Sequence, residues 1–207
     1  MRFLLLLCCL LGTASYAASV GGDNVPGTTQ RCQAYLPRSE RLKNTGGSDG
    51  SGLCVFTSIE HSGREQFVRV LRGFQAWMKK KPGGGYPQKV DLMLAQYCKE
   101  KGVAVPRYIQ VNATDLDFLK AALKTGRLAC ITYGWSPSGR YSGSTIAHMV
   151  NLAHADGDNW AVLDNNYIDQ LEWLSEKEFL QAHTTKGRDR GWSIVFYESS
   201  PPGPFHN

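Results

Sequence analysis

Residues 147–166 read AHMVNLAHADGDNWAVLDNN. Apolar and aromatic residues dominate Ala147 to Ala155 and again Trp160 to Asn165, a composition that is typical of β-strands. Between these two runs, Asp156-Gly157 strongly favours a tight turn. The stretch therefore predicts an antiparallel hairpin, and with it a β-sheet in the C-terminal half of the chain.

Other segments of this half extend the sheet. Strands are predicted for Arg107 to Val111, Leu128 to Trp135 and Gly191 to Tyr197. A short helix is expected from Thr114 to Lys124, and Ser175-Glu176-Lys177-Glu178 is a capping box that opens another, ending near His183.

The N-terminal half has a helical period instead. Apolar residues recur at helical spacing between Arg64 and Lys80, after a first apolar segment from Leu53 to His61. These segments form two helices, or one helix interrupted at Ser62-Gly63. A third helix is predicted from Pro87 to Gly102. Helices followed by antiparallel strands predict an α+β fold in which an N-terminal helical layer packs on a C-terminal sheet.

The ends of the chain differ from this domain, which we assign to residues 53–199. Residues 1–17 have the layout of a secretory signal peptide, with Arg2, an apolar run and small residues before a cleavage site after Ala17. Residues 18–52 are loop-rich, and residues 200–207 form a Pro-rich tail. The protein is therefore expected to be secreted or periplasmic.

Composition excludes several classes of protein. The 207 residues are 42% hydrophobic and 20% charged, which is typical of a soluble globular domain and not of a disordered chain. The formal net charge of +5 is small and scattered, so no nucleic-acid partner is expected. No later segment is long and apolar enough for a membrane span. We expect a monomer.

Four cysteines remain after the predicted cleavage: Cys32, Cys54, Cys98 and Cys130. Their wide spacing does not fit a structural zinc site, and no metal or cofactor is expected. Export favours disulfides. If Cys54 is a working thiol, at most one disulfide can form among Cys32, Cys98 and Cys130, and its pairing stays open.

Cys54 stands where a glycine-rich loop becomes a helix. The helix start lowers the pKa of a thiol, and its free N–H groups can hold an oxyanion. A small buried residue or a disulfide partner would suit the same position. A base for this thiol is offered by His148, near the start of a strand. His154 lies near the hairpin turn and is expected to be solvated, and His61, His183 and His206 are expected at the surface or in the tail.

Three segments resemble the Cys, His and Asn blocks of papain-like cysteine peptidases, in the same order. They are Gly52 to Ser58, Ala147 to Val150 and Asn159 to Asn165. With Gly84-Gly85-Tyr86-Pro87 and Trp173-Leu174-Ser175-Glu176, the layout is similar to the smaller C39-like branch. The resemblance implies a papain-like fold, a peptide or protein substrate, and the site residues Cys54, His148 and Asn165.

The chain also departs from the papain pattern. It lacks a Cys three residues before Cys54 and an aromatic residue after it. The superfamily usually carries a Gln six residues before the nucleophile to complete the oxyanion hole, and this chain has Ser48 there. Asn44, Ser51 or a backbone amide could replace that donor.

The residue that orients His148 depends on the register of the hairpin. A two-residue turn at Asp156-Gly157 sets Asn165 opposite His148, and a four-residue loop keeps Asn165 on the same face. A three-residue loop moves Asp164 onto that face instead, because a slip of one residue exchanges the faces of a strand. We predict Asn165, with Asp164 as the alternative.

These residues support three hypotheses about function. The first is a secreted cysteine peptidase or related amide hydrolase with a Cys-His-Asn/Asp triad. The second is a transglutaminase-like acyltransferase, which uses the same three roles. The third is a catalytically silent peptide-binding domain of the same fold, with Cys54 oxidised to a partner such as Cys32.

Overall fold

A computed structural model of the chain describes residues 17–185 and 190–197. The helices of these residues are α1 (Cys54–Glu65), α2 (Phe74–Met78), α3 (Pro87–Lys101), α4 (Leu116–Lys124) and α5 (Glu176–Thr184). The strands are β1 (Ser19–Gly21), β2 (Tyr108–Asn112), β3 (Ala129–Tyr133), β4 (His148–Asp156), β5 (Asn159–Leu163), β6 (Leu171–Leu174) and β7 (Trp192–Phe196).

The described strands form one antiparallel sheet with the order β1-β6-β5-β4-β3-β7-β2. Side chains alternate between its two faces, and each face has its own apolar core. One core is built with α1, α2 and α3, and the other with α4 and α5. The predicted α+β class, with N-terminal helices on a C-terminal sheet, is confirmed.

Helix α1 is buried along almost its whole length and packs against β3, β4 and β7. Polar side chains fix it to β4: the Ser58 hydroxyl donates to the Met149 carbonyl at 3.2 Å, and Nδ1 of His61 lies 3.1 Å from Oδ1 of Asn151. Because buried polar groups need partners, these bonds specify how far α1 can slide along the strand. They thereby fix the start of α1 relative to the start of β4.

The predicted elements are recovered in part. Helix α3 begins at Pro87 and ends before Gly102, which has a left-handed φ of +67°, and Ser175 and Glu178 form the predicted capping box of α5. The helix predicted up to Lys80 is wrong in detail. The backbone leaves α1 through Phe67, at φ +59°, makes a 3₁₀ turn and resumes as the short α2 after Gly73.

The hairpin differs from the predicted register. Asp156 pairs with Asn159, so the turn residues are Gly157 and Asp158. A bulge between Leu152 and His154 then shifts the pairing by one residue, and Leu152 pairs with Val162. Past the bulge, the pairing of β4 with β5 is the one that a three-residue loop would give. Compared with the predicted register, the residues of β5 that approach His148 have therefore exchanged faces of the sheet.

The N-terminal segment takes part in the sheet. Strand β1 pairs with β6. Neither strand was predicted from the sequence. Val25, Ala34 and Leu36 are buried in the core on the α4 and α5 side. The proposed signal peptide, except Ala17, and the proposed Pro-rich tail lie outside the described residues. None of the helices in the described part of the chain is both long and apolar enough to cross a bilayer.

Candidate active site

Cys54 is the first residue of α1, where the sequence analysis expected it. Its backbone N–H therefore has no carbonyl partner within the helix. The residue is 9% exposed and lines a cleft, and the backbone N–H groups of Val55 and Met149 act on its sulfur to lower the pKa of the thiol. A sulfur with such donors is adapted to carry negative charge.

The ring of His148 lines the same cleft and lies close enough to this sulfur to change the pKa of the thiol. Burial raises the pKa of the Cys54 thiol, but His148, through hydrogen bonding and positive charge, together with the backbone N–H groups of Met149 and Val55, leaves the pKa below its ordinary value. Burial lowers the pKa of His148, but hydrogen bonds and negative charges from Asp164 and Cys54 raise it to about 10. The arrangement favours a thiolate next to an imidazolium at neutral pH.

Asp164, and not Asn165, orients the histidine. Oδ1 of Asp164 lies 2.8 Å from Nε2 of His148, and neither side chain is more than 5% exposed. Because Asp164 occupies Nε2, Nδ1 is the ring nitrogen left for the thiol. The prediction of Asn165 as the third member is wrong, since the bulge in β4 moves Asp164 to the histidine's face.

Asn165 has a different place in the site. Its Nδ2 lies 3.1 Å from the carbonyl oxygen of Cys54, 2.9 Å from that of Met149 and 3.0 Å from the Ser58 hydroxyl. The amide thus joins the first turn of α1 to the first residues of β4. Asn165 holds the strand that carries His148 against the helix that carries Cys54.

The Asp164 carboxylate is held on both oxygens. Oδ1 also accepts the backbone N–H of Asn166 at 2.8 Å, and Oδ2 accepts the hydroxyl of Tyr141 at 2.6 Å. Burial raises the pKa of Asp164, but the bonds to His148 and these donors outweigh it and hold the pKa below its ordinary value. Sequence reasoning missed Tyr141, because it lies in a Ser- and Gly-rich loop with no motif.

The cleft around Cys54 has a volume of about 270 Å³. His148 is the one titratable side chain besides Cys54 and Tyr133 among its described lining residues. The others are apolar, small or hydroxylated: Gly52, Val55, Gly84, Gly85, Thr132, Gly134, Ile146, Ala147, Met149 and Trp192. The cleft suits an uncharged group next to Cys54.

Two glycine-rich loops join to make one wall of the cleft. The N–H of Gly84 donates to the carbonyl of Gly52 at 2.8 Å, and Oδ1 of Asp49 accepts the N–H of Gly83 at 2.7 Å. Lys89 donates from the other side to the carbonyls of Pro82 and Gly83. These bonds fix the wall without placing a bulky side chain in the cleft.

The oxyanion candidates do not line the cleft. The backbone N–H of Ser48 donates to the carbonyl of Lys81 at 2.9 Å, and Nδ2 of Asn44 donates to Oδ1 of Asn166 at 3.1 Å. Ser51 belongs to the turn that Asp49 holds. No described lining residue carries a side-chain amide. The backbone N–H of Cys54 is the donor that the helix start leaves for an oxyanion.

Several predictions for the remaining histidines and cysteines are wrong. His61, His154 and His183 are at most 2% exposed, so their assignment to the solvated surface is wrong, and His206 lies outside the described residues. Cys32, Cys54, Cys98 and Cys130 are all buried free thiols. The structure has no disulfide between any two of these four cysteines, neither the one left open among Cys32, Cys98 and Cys130 nor the alternative pairing of Cys54 with Cys32.

The chain matches no protein-family model, and no curated protein resembles it at a significant level. Its function must therefore be inferred from the geometry of the site itself.

Proposed function

We propose that the protein is a cysteine-type amide hydrolase, a peptidase that acts outside the cytoplasm. One observation carries the proposal: the Asp164 carboxylate lies 2.8 Å from the imidazole of His148, and this imidazole lines the same cleft as Cys54, whose sulfur stands at the start of a helix. A nucleophile, a base and a residue that orients the base are the three parts that covalent amide hydrolysis requires.

The proposed reaction has two stages. The Cys54 thiolate attacks the carbonyl carbon of the substrate, and the proton of His148 passes to the amide nitrogen as the C–N bond breaks. A thioester remains on the sulfur. His148 then takes a proton from water, whose oxygen attacks the thioester and releases the acid and the thiolate. Asp164 stabilises the imidazolium before the first transfer and after the second.

The backbone N–H of Cys54 would hold the negative oxygen of the tetrahedral intermediate. The usual second donor from a side-chain amide has no counterpart among the described residues of the cleft. The loss of one such donor typically costs about 10²–10³ in kcat. We therefore expect a slow enzyme, or one in which the substrate supplies part of the missing stabilisation.

A second candidate is acyl transfer to an amine. It is favoured by the carboxylate at position 164, since a Cys-His-Asp site is nearer the transglutaminase pattern than the Cys-His-Asn site of papain. Both reactions pass through the same thioester. They differ only in whether water or an amine attacks it.

The test is incubation of the protein with a mixed peptide library, with and without a primary amine such as methylamine. New peptide termini without the amine would support hydrolysis, and amine-capped products formed in preference to acids would support acyl transfer. Both should disappear in Cys54→Ala and in His148→Ala, while the fold is retained. Products that persist in either variant would exclude the triad.

A further inference from the structure

The loop between β3 and β4, residues 134–147, brings Tyr141 to the triad. Its hydroxyl donates to Oδ2 of Asp164 at 2.6 Å and accepts from Nδ2 of Asn166 at 3.0 Å. Its ring lies edge-on to the imidazole of His148, with centroids 6.0 Å apart. A single side chain therefore contacts both the carboxylate and the histidine that it orients.

The hydroxyl of Tyr141 completes the hydrogen bonding of a buried carboxylate. Asp164 is fully buried, and its other oxygen is used by His148 and the N–H of Asn166. A buried charge is expensive unless its lone pairs have donors, and a short O–H···O⁻ bond is among the strongest that a neutral side chain can give. Burial and the charge of Asp164 raise the pKa of Tyr141, so the phenol is protonated and can donate at neutral pH.

We infer that Tyr141 is a positioning residue of the triad: its hydroxyl keeps Asp164 ionised and aimed at Nε2 of His148, and through them it maintains the thiolate of Cys54. This inference rests on the proposed function and deepens it. Tyr141 is not among the residues that line the cleft, so we expect it to act on the charge state of the thiol and not on substrate binding.

Other contacts hold this loop in place, so the Tyr141 hydroxyl can be removed without unfolding the loop. The buried Glu172 accepts bonds from the hydroxyls of Tyr133 and Ser136 and from the N–H of Ser138. The hydroxyl of Tyr167 donates to the carbonyl of Arg140 at 2.6 Å. Removal of one oxygen from Tyr141 leaves these contacts and the ring packing in place.

The decisive variant is Tyr141→Phe, tested by the pH dependence of Cys54 alkylation with iodoacetamide, read by mass spectrometry of the whole mature chain. Loss of one hydrogen bond to a charged group shifts an equilibrium by about 10-fold to 100-fold. We expect the alkylation midpoint to rise by about one pH unit. In peptide hydrolysis, kcat should fall by about 10-fold or more with KM unchanged.

Tyr167→Phe is the matched control, because this ring packs on Tyr141 but its hydroxyl does not reach Asp164. Its midpoint should equal that of the unmodified protein. A second check is Asp164→Asn with and without Tyr141→Phe: if Tyr141 acts through Asp164, the double variant should be little worse than Asp164→Asn alone.

Three results would overturn the inference: an unchanged midpoint in Tyr141→Phe, an equal shift in Tyr167→Phe, or additive losses in the double variant. These can be distinguished from failure of the proposed function. If Cys54 of the unmodified protein reacted no faster than Cys32, Cys98 and Cys130, the thiolate–imidazolium pair itself would be absent, and both proposals would fall.

Discussion

Asp164 and Asn165 are neighbours in sequence, but their side chains contact different parts of the site. Asp164 contacts Nε2 of His148, and Asn165 contacts the backbone of Cys54 and Met149 instead. Asp164 directly follows β5 and Asn165 lies in the turn that comes next, so one side chain can serve the histidine while the next ties the helix to the sheet. The two positions can be tested separately.

We expect Asp164→Ala to lower kcat by about 10²-fold or more, because the imidazolium loses its counter-charge and its orientation. Asn165→Ala should instead destabilise the fold by about 1–3 kcal/mol, since three buried acceptors lose their donor. Steady-state kinetics and urea unfolding of both variants measure the two effects. A larger kinetic loss in a well-folded Asn165→Ala would restore Asn165 as the residue that orients His148.

His61 gives the fold a pH dependence of its own. Burial lowers the pKa of His61 to about 4, against an ordinary value of 6.5, despite its bonds to Asn151 and Leu42. The unfolded chain therefore takes up this proton before the folded one. The associated stability is complete above about pH 6.5 and falls as the pH drops towards 4, by about 3 kcal/mol in total.

Urea unfolding between pH 7 and pH 4 checks this expectation. His61→Asn, which cannot titrate, should unfold with a weaker dependence on pH over that window. Part of the pH dependence of stability should remain in this variant, because the fold also lowers the pKa values of His154 and His183. An identical slope in both proteins would show that His61 is not held neutral by the fold.

At the scale of elements, local patterns in the sequence predicted the helix starts well. Pro87 and the Ser175 capping box act through their own backbone neighbours, so their effect is visible in a few residues. The start of α1 at Cys54 and the strand that begins at His148 were found in the same way. The cysteine and the histidine that line the same cleft could therefore be named from sequence.

The third member could not be predicted, because it depends on a bulge. The shift between Leu152 and His154 leaves no pattern of its own in the apolar run of β4, and the Asp156-Gly157 pair was read as the turn itself. A one-residue change of register reverses which face each residue takes. Tyr141 and the missed strands β1 and β6 likewise depend on contacts between distant segments.

The wall of glycine loops provides an element-scale prediction. A Cβ at Gly83 would collide with the backbone carbonyl of Ser51. A Cβ at Gly84 would meet no atom within 4 Å, and its one cost is the strain of a side chain at a left-handed φ of +65°. Gly84→Ala should cost about 1–2 kcal/mol. Gly83→Ala should cost more, because it separates the two loops next to Cys54.

Thermal unfolding and hydrolysis assays of the two variants make the comparison. Gly83→Ala should lose both stability and activity, whereas Gly84→Ala should lose mainly stability. Equal stability losses in the two variants would show that the loops do not pack as closely as described.

At the scale of the whole molecule, the four described cysteines differ in what surrounds them. Burial raises the pKa of Cys32 and of Cys130 to about 12 and raises that of Cys98 as well, whereas His148 and backbone donors lower that of Cys54. Because the thiolate is the reactive form, one cysteine should react far ahead of the others. The cause is the meeting of helix start, strand start and cleft at one point.

The most direct measurement of this claim is iodoacetamide labelling of the folded protein at mildly acidic pH, with each cysteine quantified by peptide mass spectrometry. Cys54 should be labelled first, its rate should collapse in His148→Ala, and Cys32, Cys98 and Cys130 should react only after unfolding. Labelling of Cys130 as fast as Cys54, or a Cys54 rate that is indifferent to His148, would contradict the thiolate–imidazolium pair on which the account depends.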